Sequence, residues 1–435
     1  MKKHGLVLMA IMLVLSILSA CASGNNKETS ESPGAAGSGK KELNILMESV
    51  PDTDFVKRVV DKFTAESGIK VNIEAVNYAS MHEKLVPQLL NATSSYDIIV
   101  VDNYWVGEFT DAGWLEPLDS FITRDKFDTS VYSKSMWDMV GQVDGTTYML
   151  PFYNYAMSLV YRTDVFNDTD LKAKYQAEFG RELKLPDNLE EYVNISKFIT
   201  KEKGDSMYGA VMMGLRPDPI SVEWLNYLFS SGGEFFNADG SARINDANAA
   251  KSLDLYIDNM KNAAPKGAAG FGFDEAFNVF AQGNAASFIT YNWMLNKLQD
   301  ENESKVAGKV DVAEVPGGVS LNGGWGWAIP KNAEDKEASW KFLNWVESFD
   351  IAKERALAGG SPTRNDVFAD SDVLGQYPHY VKVQKIINDS HMIPIIPQAP
   401  QLIEILGREL SEAVSGGKSS QKALDTVAKE ISELE

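Results

Sequence analysis

Between residues 42 and 101 the sequence reads strand, helix, strand, helix, strand, and that order leaves few folds open. ELNILME, at 42–48, is a short apolar run suited to a buried strand. In TDFVKRVVDKFTAESG, residues Phe55, Val56, Val59, Val60 and Phe63 share one helical face; Thr53 is placed to cap the helix and Gly68 to stop it. IKVNIEAV alternates Ile69, Val71 and Ile73, the mark of a half-buried strand. A second helix is expected from about Ser80 to Asn91. YDIIVV, ending at Val101, is continuously apolar, as in a strand covered by helices on both faces. Such an order predicts parallel strands joined by right-handed crossovers, and therefore an α/β fold.

That geometry also predicts where a ligand goes. In open α/β sheets, ligands sit outside the carboxyl ends of the strands. The residues just past these strands are Glu48, then Asn77 and Tyr78, then Asp102, Asn103, Tyr104 and Trp105. They lack the glycine fingerprint of a dinucleotide site. Carboxylates and amides bridge neighbouring hydroxyls, and aromatic faces cover the apolar C–H side of a sugar. The same residues also suit plain polar strand ends, with the rings packed under the next helix.

Charge narrows the partners. With 41 Lys+Arg against 61 Asp+Glu, the formal net charge is −20, which argues against nucleic acid, whose phosphates need a basic face. SGGKSS, at 415–420, ends like a phosphate loop, but Glu412 stands where its first glycine is needed. His4, His82, His379 and His391 have no metal-ligand spacing, so neither a metal nor a cofactor is expected. No serine nucleophile elbow is present either.

The amino-terminal segment has a different character. Lys2 and Lys3 precede an apolar run from Leu6 to Leu18, then the small residues Ser19 and Ala20, and then Cys21, the single cysteine of the 435-residue chain. This is the layout of a secretory signal, and the run is too short to span a bilayer comfortably. Leu18-Ser19-Ala20-Cys21 resembles a bacterial lipobox, which implies acylation of Cys21 as the first mature residue. Residues 1–20 are thus expected to be a signal peptide. Residues 21–41, rich in Gly and Ser, read as a flexible, lipid-anchored tether on the outer face of the cytoplasmic membrane. The remainder, about 390 residues, is long enough for two domains.

Five segments are similar to those of the family 1 extracellular solute-binding proteins. They are YDIIVVDNYWVGEFTDAGWLEPLDSFI, DGTTYMLPFYNYAMSLVYRTDVF at 144–166, FAQGNAASFITYNWML at 280–295, GGWGWAIPKNAEDKEASWKFLNWVES at 323–348 and GGSPTRNDVFAD at 359–370. They fall in the family's order over most of the chain. The resemblance implies a two-lobed, type II periplasmic-binding-protein-like fold, each lobe a sheet flanked by helices, with a multi-segment hinge. It also implies a monomer that passes solute, most often a sugar, to the permease and ATPase of an ABC importer.

On this reading the amino-terminal lobe takes 42–150 and 285–330, and the carboxyl-terminal lobe takes 151–284 and 331–435. Crossings are expected near Pro151, Gly283 and Pro330, where the chain is punctuated. The opposing wall is expected from Tyr153 and Asn154, Glu223 and Trp224, Tyr291 and Trp293, Gly324 and Trp325, and Arg364. Trp224 equally suits a core face, and Arg364 a structural ion pair. Two other functions remain open: a secreted glycoside hydrolase, which uses aromatics and paired carboxylates, and the same fold holding a polyamine.

Overall fold

The computed structural model describes residues 41–434; the expected signal peptide, Cys21 and nearly all of the tether lie outside the described residues. The alternating start folds as the apolar pattern dictates: β1 (Glu42–Glu48), α1 (Pro51–Ser67), β2 (Lys70–Val76), α2 (Tyr78–Leu90), β3 (Ile98–Asp102) and α3 (Val106–Asp111). A short ribbon, β4 (Gln142–Val143) and β5 (Thr146–Thr147), precedes the long strand β6 (Leu150–Arg162). Of the helices that come next, α4 (Asp218–Ser230) and α5 (Ala247–Asn262) matter most below. They are followed by β7 (Ser287–Tyr291), β8 (Val310–Ala313) and β9 (Asn322–Ala328). The closing helices include α6 (Lys336–Val346), α7 (Phe349–Leu357), α8 (Ala399–Ser415) and α9 (Ser420–Ile431).

β1 pairs in parallel with β2 on one side and β3 on the other, as the two crossovers require. Gly68 ends α1 at φ 73°, in the left-handed region that glycine enters without steric cost. Thr53 does not cap the helix: it lies in the first turn, and its hydroxyl donates to Glu48 O at 2.6 Å.

β9 runs antiparallel to β3, and β6 antiparallel to β9, so one sheet continues from the first strands into the rest of the chain. β6 changes partners along its length. Leu150–Ala156 pairs with β9, whereas Met157–Tyr161 pairs with β7 and Leu159–Arg162 with β8. The backbone passes between the two ends of the sheet at Ala156–Met157, five residues beyond Pro151, which sits inside the strand opposite Gly326. The proline is accommodated beside a register shift between Pro151 and Tyr153.

Two ranges differ from those expected. β7 and β8 join the distal half of β6, so 285–313 does not return to β1–β3, and of β7, β8 and β9 only β9 pairs with β3. α6 and α7 pack on α1, with Phe342 edge-on to Phe63 at 5.1 Å, so 336–357 covers the first strands and not the other end. α8 and α9 do pack with α4 and α5, burying Leu402, Leu406, Leu410, Leu424 and Val427. Helix patterns show that a face is apolar but not which apolar face it meets.

Candidate functional site

The three leading strands end in the groups expected of them, and β9 and β6 bring aromatic rings up beside them. The registers place Trp325 of β9 opposite Asp102 on one side and Tyr153 on the other. Trp105, in the turn after β3, lies 5.4 Å from Trp325, ring centroid to centroid. Tyr78 stacks on Trp105 at 5.5 Å and meets Trp325 edge-on at 5.9 Å. Tyr153 adjoins Trp325 at 5.8 Å and stacks on Tyr155 at 4.4 Å, because residues two apart on a strand share a face. Tyr155 in turn reaches Trp293, 6.0 Å away past the end of β7. Tyr291 lies against Gly323, where a Cβ would come within 2.7 Å of its ring. Glu48, Tyr78, Asp102, Trp105, Tyr153, Tyr291, Trp293 and Trp325 therefore belong to one cluster.

Carboxyl groups are threaded through these rings. Tyr153 Oη donates to Glu48 Oε2 at 2.6 Å, and Tyr155 Oη donates to Asp52. Burial pushes Glu48 up to about 7, with the charge of Asp52 adding to it against the Tyr153 hydrogen bond. Asp52 and Asp218 are each pushed up to about 6, again chiefly by burial. Asp102 is raised well above the carboxylate range by burial, and the charges of Glu48 and Asp218 act in the same direction. The Tyr291 hydroxyl is raised by burial and by Asp102, Asp218 and Glu48. Lys297 lies 6.0 Å over the ring of Trp293. The arrangement offers oxygen acceptors and hydroxyl donors at short range, framed by aromatic carbon.

Other expected residues stand elsewhere. Asn154 points to the opposite face of β6 from its tyrosine neighbours and donates to Met136 Sδ at 3.0 Å. Gly324 is on that same side: a Cβ there would lie 2.5 Å from Val140, so its smallness serves packing. Glu223 is buried in the second half of the chain, accepting from the backbone N–H of Met213, and Trp224 beside it is fully buried core. Arg364 is held by Asp366 at 3.0 and 2.7 Å and by Glu347 O at 2.8 Å, a structural ion pair and not a ligand fork. Asn103 stays at the site: its backbone N–H donates to Gly324 O, while its buried Nδ2 has no protein partner.

Tyr104, expected after the third strand, and Tyr155, beside Tyr153 and Asn154 in PFYNYAM, join the cluster, as do Asp52 and Asp218. The tyrosines carried a signal, since each sits in a turn or strand face named from the sequence; the aspartates did not. The two aspartates fall in the first turns of α1 and α4, where an acid ordinarily complements the helix dipole.

Comparison with known proteins fits this geometry. Residues 49–350 match the family described as bacterial extracellular solute-binding protein. This chain belongs to that family. The solute-binding protein is 24% identical over 378 residues to the mannitol-binding protein of Pseudomonas aeruginosa, covering 79% of this chain and 81% of that one. A solute-binding protein from Agrobacterium radiobacter K84, solved in complex with ribitol, is 27% identical with a TM-score of 0.80, covering 91% and 98%. Maltose-bound MalE3 of T. maritima shares the fold at 24% identity and a TM-score of 0.79, over 91% and 100%. The solute-binding protein thus has the mixed α/β architecture of two-lobed sugar-binding proteins. Among the described residues there is no group of three or more His, Cys, Asp or Glu able to hold a metal, and no helix long and apolar enough to cross a membrane.

Proposed function

We propose that this solute-binding protein captures a neutral sugar or polyol between two lobes and delivers it, chemically unchanged, to the permease and ATPase of an ABC importer. The observation that carries the reading is the convergence of Glu48, Asp102, Tyr78, Trp105, Tyr153 and Trp325 at the strand ends of a chain in this family. The ribitol and mannitol ligands of its relatives support the solute class.

The first lobe comprises β1–β3, β9, α1–α3, α6 and α7, and the second the distal half of β6 with β7, β8, α4, α5, α8 and α9. The partner change at Ala156–Met157 is one hinge strand. Closure is favoured only by the contacts that the ligand adds across the cleft. Cys21 is acylated, and residues 21–41 moor a monomeric body to the outer face of the cytoplasmic membrane. This part of the reading is supported by the sequence of residues 1–41.

Thermal shift against a panel of sugars and polyols tests the proposal. A true ligand at 100 times its Kd adds about 2.7 kcal/mol of stability, with no product on chromatography. Turnover of an oligosaccharide without a saturable shift overturns the binding reading in favour of hydrolysis.

A further inference from the structure

One side of the cleft is closed by protein. Tyr78, at the start of α2, and Tyr104, after β3, share a 2.6 Å hydrogen bond between their hydroxyls. Tyr104 Oη also donates to Asp218 Oδ1, 3.4 Å away in the first turn of α4. The three side chains make a strap from the first lobe to the second. Within α3, Gly107 meets the backbone of Ile396, just ahead of α8: a Cβ on Gly107 would lie 2.6 Å from the Ile396 carbonyl oxygen. Strap and backbone contact are two points along one seam.

The rings beside the strap touch one another, at 5.4 Å for Trp105–Trp325, 5.5 Å for Tyr78–Trp105 and 5.9 Å for Tyr78–Trp325. A sugar ring laid between two aromatic faces needs carbon contacts of about 3.5–4.0 Å on each side, about 7–8 Å in all. None of these pairs leaves that gap. These pairs therefore do not sandwich a ligand, which leaves Glu48, Asp102, Tyr291 and Trp293 as the groups of the cluster to hold it.

We infer that Tyr104 is a specificity-determining residue, whose strap to Tyr78 and Asp218 limits the ligand to one short unit, an acyclic polyol or a single monosaccharide. The inference rests on the sugar-or-polyol reading above and adds a length limit to it. An oligosaccharide running through the seam breaks both hydrogen bonds and separates Gly107 from Ile396. A short ligand is enclosed with the seam shut.

Titration calorimetry on the purified protein with ribitol, mannitol, glucose, maltose and maltotriose tests this. At least one of the first three is expected to bind about 100-fold more tightly than either maltose ligand, the effect of two broken hydrogen bonds. Tyr104→Ala and Tyr104→Phe each remove the hydroxyl that makes both hydrogen bonds, and each is expected to narrow that ratio about tenfold or more. General destabilisation weakens all ligands together and leaves the ratio alone. If Tyr104→Ala does not fold, Asp218→Ala opens the same strap from the other lobe and is read in the same way. Maltose or maltotriose bound as tightly as the single units overturns the length limit and leaves the sugar reading standing. A ratio unmoved in the alanine variants overturns the role of Tyr104. Saturable binding of none of the five overturns the sugar reading, and the length limit with it.

Discussion

A buried amide nitrogen with no partner in the protein costs stability that a ligand hydroxyl recovers, so Asn103 separates binding from folding unusually well. Asn103→Ala is expected to leave the melting temperature unchanged or slightly raised, while weakening sugar or polyol binding about tenfold, read by calorimetry and thermal melts on one preparation. Arg364 predicts the reverse. Its buried guanidinium donates to Glu347 O and to the half-exposed Asp366, beside the buried pair in which Arg355 Nη2 donates to Glu347 Oε1 at 2.7 Å. Losing it leaves the Glu347 carbonyl without that donor, at a cost of about 1–3 kcal/mol. Arg364→Ala should therefore lower the urea midpoint markedly and leave affinity near that of the wild type; a selective loss of affinity would restore the arginine to the cleft. Sequence could name the right residue types here but not their partners. Asp102 and Trp105 were legible because they follow a recognisable strand. Arg364 and Trp224 were not, since a fork and an indole look the same in a cleft and in a core.

Strands and helices were legible where their periodicity was clean, as in β1, α1, β2 and β3. The long strand β6 was not. It is buried on both faces along nearly its whole length, so it carries no alternation, and Pro151 reads as punctuation although it lies within the strand. The packing of α6 on α1 was equally hidden, because the apolar stripe of a helix does not name the stripe it meets. Contacts between such elements can be tested without touching the ligand groups. Gly107 of α3 accepts no side chain while Ile396 is against it. Gly107→Val, at an ordinary helical φ, is expected to hold the seam apart. Affinity should fall by about tenfold or more, the melting temperature of the unliganded protein should change little, and the ligand-induced fall in radius of gyration should shrink. Full closure of this variant by small-angle scattering would show that the seam yields elsewhere.

For the protein as a whole, folding gathers several carboxyl groups into one unusually acidic interior, and this sets its response to pH. Glu48 titrates near 7, and Asp52 and Asp218 near 6, with Asp102 also raised; all are shifted upward chiefly by burial. Between pH 4.5 and 7 the folded chain therefore holds more protons on these groups than the unfolded chain does. Stability changes with pH in proportion to protons bound unfolded minus protons bound folded, so this contribution is negative and stability falls as pH rises. His379 opposes it: burial lowers its value to about 4, so the unfolded chain holds the extra proton between there and 6.5. Carboxylates lowered by partners, such as Asp125 at about 2 beside Arg124, act below this window. Several raised acids outweigh one histidine. Glu48 alone accounts for about 3 kcal/mol, since each tenfold change in proton affinity is worth about 1.4 kcal/mol. Urea unfolding at pH 5, 6, 7 and 8 should show the free energy of unfolding declining toward pH 8. In Glu48→Gln the decline should be shallower by about one proton between pH 5 and 7. A stability that climbs steadily from pH 5 to 8 in the wild type would mean that these carboxyls are ionised and solvated, and that the cleft stands open to water.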